Sequence, residues 1–374
     1  MESRAAVLYE MGLPRPYADS RPLKVETVKL DEPGPGEVLV RIRAAGLCHS
    51  DLSVIDGSRP RPVPMALGHE AAGEVVQTGE GVTDLSPGDH VVCIFVPSCG
   101  HCLPCREGRP ALCEPGAEAN VKGTLLSGAR RIHRGETTIH HHLGVSAFAD
   151  YAVVSRHSLV KVDPRLPFEQ AALFGCAVMT GVGAVLNTAG VKPGSSVAIV
   201  GLGGVGLCAL LGARLAGARQ IVAVDVQGEK LSFARELGAS DTFDAREDGV
   251  EEAIRRATAG GVDYAFETAG VVDALHLAFR ITRRGGVTVT SGLPHPDRRL
   301  SIPPVVLTAE ERTIKGSYVG SCVPQRDIPR YIDLFRQGRL PVDRLLSGTL
   351  PLEQINEGFD RLASGTVARL VVTT

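Results

Sequence analysis

The stretch SSVAIVGLGGVG, residues 195–206, runs from an apolar strand-like segment into a turn of four glycines. An apolar helical stretch, GLCALLGARLAGA, continues from the last glycine. A G-x-G-x-x-G motif is weak alone, but a strand before it and a helix after it are the context that it requires. The glycines then allow a tight turn, close approach of a pyrophosphate, and packing of helix on strand. The pattern predicts a dinucleotide site at Gly201, Gly203, Gly204 and Gly206.

An acidic residue ends the next strand-like run. QIVAVD closes on Asp225, about 20 residues past the glycines. A carboxylate there can accept a hydrogen bond from a ribose 2′-hydroxyl and repels a 2′-phosphate, so it favours NAD over NADP. The alternatives are a purely structural strand–helix–strand turn for the glycines and an ordinary strand-end acid for Asp225.

The segments on either side of this stretch differ in composition and in their predicted secondary structure. From about 178 to 320, apolar strands alternate with helical patterns such as GEKLSFARELGAS and VVDALHLAFRIT. This alternation predicts a parallel, doubly wound α/β sheet. Residues 1–177 are rich in Gly and Pro with short β-type runs, which predicts an irregular, mostly-β domain, and residues 321–374 return to mixed texture. The segment from about 115 to 145 has no clear period and is predicted to be a functional or capping loop.

The chain as a whole has the composition of an ordinary globular protein. Its 374 residues predict two domains. The net charge of -2, from 40 basic and 42 acidic residues, gives no electrostatic case for a nucleic-acid or anionic-membrane partner. No apolar run is seen to approach the roughly 20 residues of a membrane helix, and the N-terminus lacks the pattern of a secretory signal. We therefore expect a cytoplasmic location, where stable disulfides are rare.

Four of the nine cysteines fall within CGHCLPCREGRPALC, residues 99–113. A disulfide staple, an iron–sulfur cluster and a zinc site would each use such a segment. A reducing compartment disfavours the staple. In the bacterial iron–sulfur pattern three residues separate the last two cysteines and Pro follows directly, whereas seven residues separate the last two here.

A second set of possible metal ligands is scattered along the chain. GLCHSD contains Cys48, LGHEAAG contains His69, and LFGCAVMTG contains Cys176. Two cysteines and one histidine with an open fourth position form the ligand set of one type of catalytic zinc. Taken singly, each also fits a buried free thiol or a core histidine, and their spacing does not show that they meet.

The order of these motifs carries a family resemblance. GLCHSD, GHEAAG, the four-cysteine lobe, GVSAFADYAVV, FGCAVMTGVGA, GLGGVG and VAVD follow one another as in the zinc-dependent medium-chain alcohol dehydrogenases, which the chain resembles over essentially its whole length. It is most similar to the long form, which includes the liver-type and glutathione-dependent formaldehyde dehydrogenases. The resemblance implies a GroES-like catalytic domain over 1–177, a structural lobe at 97–115, a nucleotide domain over 178–320 and a return over 321–374.

The resemblance also implies two zinc ions per chain, one catalytic and one structural. Cys48, His69 and Cys176 would hold the catalytic ion, with water or alcohol in the fourth place. The structural ion would be held by Cys99, Cys102, Cys105 and Cys113.

Roles for the neighbouring residues follow from the same resemblance. Ser50 would take the alcohol proton, Asp51 would hold the His69 ring, and Glu70 would be a transient zinc ligand. Where many relatives carry a relay histidine this chain has Ser53, so water would complete the relay. The residues expected to contact the cofactor are His49, Lys230 and Arg369, the last two with surface charges as the alternative. The residues expected to line the substrate pocket are Phe95, His142, Leu143, Leu293 and Tyr318.

The function implied is oxidation of a primary aromatic or medium-chain alcohol by hydride transfer to NAD, in a homodimer joined through edge strands of the nucleotide domains. S-hydroxymethylglutathione is the alternative substrate, but Ala117 replaces the arginine that grips its carboxylate in relatives, and Arg59 would compensate only in part. Two different classes of protein also fit parts of the pattern: a zinc-free quinone or enone reductase and a nucleic-acid-binding zinc module. His140, His141 and His142 are not assigned to a metal.

Overall fold

The computed structural model describes all residues from Met1 to Thr374. They form two compact units. The first contains Met1–Cys176, Val323–Ile332 and Leu346–Thr374, and the second contains Ala177–Cys322 and Asp333–Leu345.

The structure contains eighteen strands, numbered β1 to β18 in chain order: Glu2–Leu8, Leu23–Leu30, Glu37–Gly46, Met65–Ala66, Glu70–Thr78, His90–Cys93, Ile132–Arg134, Thr137–His141, Tyr151–Ser155, Leu159–Lys161, Ser196–Val200, Gln220–Asp225, Asp241–Asp244, Val262–Glu267, Thr282–Thr290, Thr313–Gly316, Leu346–Pro351 and Arg369–Thr373.

It contains thirteen α-helical segments, numbered α1 to α13: Tyr17–Ser20, His49–Ile55, Leu103–Arg106, Glu114–Lys122, Phe168–Leu173, Met179–Gly183, Gly204–Leu215, Gly228–Leu237, Val250–Ala257, Val272–Ile281, Pro304–Ala309, Pro324–Arg336 and Ile355–Ala363. Two segments have π-helical geometry, Phe174–Val178 and Ala184–Ala189. The single turns of 3-10 helix are Pro110–Leu112, Arg156–Ser158, Val319–Ser321, Val342–Leu345 and Leu352–Gln354.

The second unit is built on a six-stranded parallel sheet in the order β13-β12-β11-β14-β15-β16. Its central strand β11 is buried along its whole length, as expected of an apolar strand covered on both faces. The sheet order reverses between β11 and β14, and ligands of such sheets bind outside the carboxyl ends of the strands at this point. The predicted doubly wound α/β fold is confirmed.

The first unit is β-rich, as predicted. Strands β1, β2, β7, β8 and β4 close into a small barrel, and β10, β6, β5, β3, β18 and β17 form a second sheet that β9 joins at β3. Strand β18 pairs with β3 across more than 300 residues of sequence, with Val371 opposite Gly46. This pairing brings the end of the chain to the segment that precedes Cys48.

Three details differ from the sequence-based expectations. The segment expected to be a loop over 115–145 contains the helix α4 and the hairpin β7–β8. Residues 333–345, expected within the C-terminal return, belong to the second unit, because the turn Val342–Leu345 packs its buried side chains against α7. A continuous helix of 22 residues, Phe168–Ala189, does reach the length and hydropathy of a membrane span, but 78% of its most apolar window is buried inside the protein, as in a core helix.

Candidate active site

Four of the predicted catalytic-site residues come together in the first unit. The ligand atoms of Cys48, His69, Glu70 and Cys176 all lie within 4.8 Å of one another, and all four residues are buried. Zinc bonds of about 2.0–2.3 Å in a tetrahedral arrangement place neighbouring ligand atoms less than 4 Å apart, which is within this spread. The cluster therefore has the size and the chemistry of a zinc site.

Local backbone geometry explains how these side chains meet. Cys48 follows strand β3 and stands at the start of α2, while His69 directly precedes β5. Gly46 is paired with Glu70 across β3 and β5, and a Cβ at Gly46 would lie 2.7 Å from Glu70 Oε1, so a side chain there would displace the carboxylate. Cys176 lies in the π-helical turn Phe174–Val178, a distortion that often marks functional sites.

The His69 ring is held by Asp51. The Asp51 carboxylate is fully buried and accepts hydrogen bonds from His69 Nδ1 at 3.0 Å and from the Gly68 amide at 3.2 Å. This contact fixes the proton of a neutral ring on Nδ1, so the lone pair of Nε2 is available to bind a metal. Nε2 is buried and has no hydrogen-bond partner within the protein. An orphaned ring nitrogen beside two thiols is the donor set that a zinc ion satisfies.

A buried ion pair borders the cluster. Arg369 Nη2 lies 3.3 Å from Glu70 Oε2, and Arg369 Nη1 donates to the Leu47 carbonyl oxygen at 2.9 Å. Neither charged side chain is more than 3% exposed. Burial raises the pKa of Glu70 to about 7, and the Arg369 guanidinium opposes this rise. Arg369 thus has a structural task in the first unit, and its assignment to the cofactor stays a prediction.

The pKa values of the two thiols in the cluster are shifted in opposite directions. A hydrogen bond from Cys176 holds the pKa of Cys48 well below its ordinary value, against the effect of burial and with help from Arg369. The same hydrogen bond raises the pKa of Cys176, and burial adds to this rise. The lowered pKa of Cys48 favours its thiolate, the form of cysteine that binds metals.

The four lobe cysteines form a separate cluster. The sulfur atoms of Cys99, Cys102, Cys105 and Cys113 lie within 4.8 Å of one another, and none of the nine cysteines forms a disulfide. The amides of Cys99 and Gly116 donate to Cys113 Sγ at 3.2 and 3.4 Å, which favours negative charge on that sulfur. Four sulfurs leave no open position, so this cluster suits a structural zinc.

The glycine turn of the second unit has the shape of a phosphate site. A Cβ at Gly203 would meet no atom within 4 Å, and its backbone is extended, so the space beside it is open. A Cβ at Gly206 would lie 1.9 Å from the Gly201 carbonyl oxygen, because α7 packs tightly on β11. Asp225 accepts hydrogen bonds from the amides of Leu202 and Gln227, at 2.6 and 3.0 Å. A cleft of about 530 Å³ lies beside Asp225.

Comparisons with known proteins agree with this arrangement. The profile of the alcohol dehydrogenase GroES-like domain matches residues 34–164, and that of a zinc-binding dehydrogenase matches residues 204–337. An NDMA-dependent alcohol dehydrogenase of Amycolatopsis methanolica is 38% identical over 100% of this chain and 99% of its own.

The chain belongs to the zinc-dependent medium-chain alcohol dehydrogenase family.

Two solved structures of this type cover the same span. An alcohol dehydrogenase zinc-binding domain protein from Burkholderia ambifaria is 36% identical, and the benzyl alcohol dehydrogenase from Acinetobacter calcoaceticus is 32% identical. Each superposes with a TM-score of 0.93 and covers 100% of this chain and 99% of the other.

The remaining residues assigned by resemblance to this dehydrogenase family lie in different surroundings. Ser50 is half-buried and His49 is exposed at the start of α2. Ser53 Oγ donates its proton to the His49 carbonyl oxygen at 2.8 Å, in a hydrogen bond within helix α2. Lys230 is half-buried in the first turn of α8, five residues past Asp225.

The residues expected to line the pocket divide between the units. In the first unit Phe95 is buried beside His69, with ring centroids 5.1 Å apart, and Leu143 is also buried. Leu293 and Tyr318 belong to the second unit and are exposed there. His142 is 1% exposed and lies against Asp51, and its place in the substrate pocket stays a prediction. The other thiols, Cys93, Cys208 and Cys322, are buried.

Two contributions to the sites were not found from the sequence. One is the Glu70–Arg369 pair, which depends on the long-range pairing of β18 with β3. The other is Thr268, whose hydroxyl donates to the Gly201 carbonyl oxygen at 2.7 Å and so fixes the glycine turn. Its position directly after the strand VDYAFE, at the carboxyl end of the sheet, is a signal that could have identified Thr268.

Proposed function

We propose that this family member oxidises primary alcohols with an aromatic or medium-chain apolar tail to aldehydes, with the hydride transferred to NAD. The observation that carries the proposal is the buried cluster of Cys48, His69, Glu70 and Cys176, in which His69 Nε2 has no partner within the protein. Such a donor set with an open position supports catalysis at a metal rather than a purely structural site.

The chain supplies both the metal ligands and their support. Cys48, His69 and Cys176 would hold the zinc, and Asp51 keeps the His69 nitrogen aimed at it. When bound, zinc supplies a Lewis acid that lowers the pKa of an alcohol oxygen toward neutrality. NAD, when bound, supplies the hydride acceptor. Glu70 would be a transient ligand, and its pairing with Arg369 holds it beside the cluster in the meantime.

The proton of the alcohol needs a path to solvent. Ser50 is the nearest hydroxyl in sequence to Cys48 and is half-buried, so it is the group that we assign to accept the proton. Ser53 does not extend the path, because its hydroxyl donates to the His49 carbonyl oxygen. Water therefore completes the transfer in this chain.

The proposed substrate class rests on what the chain offers and on what it lacks. Phe95 and Leu143 provide apolar surface in the first unit, and Leu293 and Tyr318 are exposed apolar side chains of the second. Ala117, exposed on α4, provides no cation for a glutathione carboxylate, and loss of a bidentate arginine costs about 1.5–3 kcal/mol of recognition. The 32% identical benzyl alcohol dehydrogenase supports the same class.

The proposed acceptor is NAD, because Asp225 stands beside the nucleotide cleft. The relative named for its dependence on NDMA supports a second candidate: the same alcohol oxidation coupled to an acceptor other than free NAD. We also propose a cytoplasmic homodimer joined through the edge strand β16, whose residues are mostly exposed. Light scattering on the purified protein measures that assembly directly.

One set of assays tests the proposal. The zinc-loaded protein is given benzyl alcohol, 1-octanol or S-hydroxymethylglutathione. Formation of NADH from NAD and of NADPH from NADP is recorded in separate assays, and turnover with NDMA is measured in a third. We expect kcat/KM to be higher for the two simple alcohols than for the glutathione adduct. Preference for the adduct would contradict the substrate class. Turnover with NDMA but not with free NAD would contradict the acceptor and favour the second candidate.

A further inference from the structure

The position of His142 was not anticipated from the sequence. It follows β8 at the start of a turn that contains Leu143 and Gly144, both with positive φ. Its amide donates to Ser146 Oγ at 2.9 Å, and its carbonyl oxygen accepts from the Val145 amide at 3.0 Å. The backbone is therefore fixed on both sides of a side chain that is almost wholly buried.

That side chain faces the carboxylate that supports His69. His142 Nδ1 lies 3.1 Å from Asp51 Oδ1, the oxygen that accepts from His69 Nδ1, although its alignment is not that of a full hydrogen bond. The two imidazole rings meet edge to face, with centroids 5.7 Å apart. Phe95 packs against His69 as a second ring. Asp51 thus lies between two histidines, of which only His69 belongs to the zinc-ligand cluster.

The chemistry of a buried carboxylate gives this contact a consequence. Asp51 has no exposed surface, so its charge must be compensated by groups inside the protein. A neutral His142 ring carries one proton, on Nδ1 or on Nε2. The neighbouring carboxylate favours placing that proton on Nδ1. Removing His142 Nδ1–H would leave Asp51 with one fewer polar contact and a looser hold on His69.

We propose that His142 is a positioning residue that shares Asp51 with His69 and thereby fixes the orientation of the zinc-binding imidazole. This inference rests on the proposed zinc site, but not on which alcohol or acceptor is used. Groups behind a metal-binding histidine typically change metal affinity by 10- to 100-fold. We therefore expect the contact between His142 and Asp51 to affect metal binding even in the absence of substrate.

Three variants separate this role from packing. His142→Phe keeps an aromatic ring but removes both nitrogens, while His142→Asn is smaller but can place an amide N–H near the position of Nδ1. His141→Phe is the matched control. His141 is a neighbouring buried histidine whose Nε2 accepts from the Arg131 amide at 3.1 Å, and no contact links it to Asp51. Each of the three variants removes a buried imidazole, at position 142 or at the adjacent position 141.

The first readout is zinc retention by the full chain in competition with a chelator. The second is the visible spectrum after cobalt(II) replaces zinc, taken as the difference from wild type so that the unchanged cysteine lobe cancels. We expect His142→Phe to weaken one of the two zinc sites about 10-fold or more and to shift the cobalt bands. His142→Asn should recover most of the affinity, and His141→Phe should leave both readouts unchanged even if it unfolds at a lower temperature.

Coupling to Asp51 completes the test. If His142 acts through Asp51, the double variant Asp51→Asn/His142→Phe should bind zinc no more weakly than Asp51→Asn alone. Additive losses, wild-type affinity and spectrum in His142→Phe, or equal losses in all three single variants would each overturn the proposal. A change confined to KM for alcohols would show a substrate contact instead and would also overturn it. If the wild-type protein binds zinc but oxidises no alcohol, the proposed function fails while this inference stands.

Discussion

The buried Glu70–Arg369 pair provides a prediction whose size follows from the structure. Arg369→Met keeps most of the side-chain volume but leaves the Glu70 carboxylate, 0% exposed, without its guanidinium. Breaking a buried ion pair from one side costs about 3–5 kcal/mol of unfolding free energy. The Leu47 carbonyl oxygen loses its side-chain donor at 2.9 Å, which adds about 1 kcal/mol. For a unit of roughly 200 residues this lowers the midpoint of thermal unfolding by roughly 10–20 °C.

Differential scanning calorimetry of the zinc-loaded protein measures this change. The double variant Glu70→Gln/Arg369→Met should recover most of the lost stability, because no uncompensated charge then remains buried. The matched control is Arg165→Met. Arg165 pairs with Asp163 at 2.6 Å but is 83% exposed, so its loss should cost about 0–1 kcal/mol. If Arg369→Met cost no more than Arg165→Met, the pair would not stabilise the site and our reasoning would be refuted.

Three further predictions concern the cofactor and the metals. Gly203→Val should reduce NAD affinity about 10-fold or more without changing thermal stability, because the valine side chain enters space that is empty of protein. Isothermal titration calorimetry measures the NAD affinity, and scanning calorimetry measures the thermal stability. Asp225→Asn, which keeps an acceptor for the Leu202 amide, should narrow the preference for NAD over NADP in steady-state kinetics; a wild-type protein equally efficient with NADP would contradict this. Cys176→Ser should abolish alcohol turnover while retaining NAD binding, whereas Cys105→Ser should first lose zinc and stability; near-normal turnover of a zinc-containing Cys176→Ser protein would make the ligand assignment wrong.

The sequence was most informative where function is local along the chain. The glycine turn, the strand before it and the helix after it lie within one short stretch, so their spacing alone predicted the nucleotide-binding unit. The four lobe cysteines span residues 99–113 and could be assigned to one cluster for the same reason. The catalytic ligand set is different, because Cys48 and Cys176 are far apart in sequence. Before the structure was known, only the family resemblance, which rests on the order of the motifs, predicted that these residues bind one metal.

What the sequence left open depends on pairing over long distances. Arg369 reaches Glu70 because β18 pairs with β3, and no local pattern encodes the register that sets Val371 opposite Gly46. His142 was expected in the substrate pocket because it follows a strand in a family motif. Its contact with Asp51 could not be found from that motif, because the turn that follows it contains Leu143 with a positive φ that its residue type does not predict.

The central claim is that alcohol oxidation occurs at the cluster of Cys48, His69 and Cys176. It is tested most directly by measuring NADH formation from benzyl alcohol as zinc is restored stepwise to the metal-depleted protein, with zinc per chain determined in the same samples. We expect negligible rates up to about one zinc per chain, held by the cysteine lobe, and a rise to full activity as the content approaches about two. Full activity at one zinc or fewer, or no oxidation at two, would contradict it.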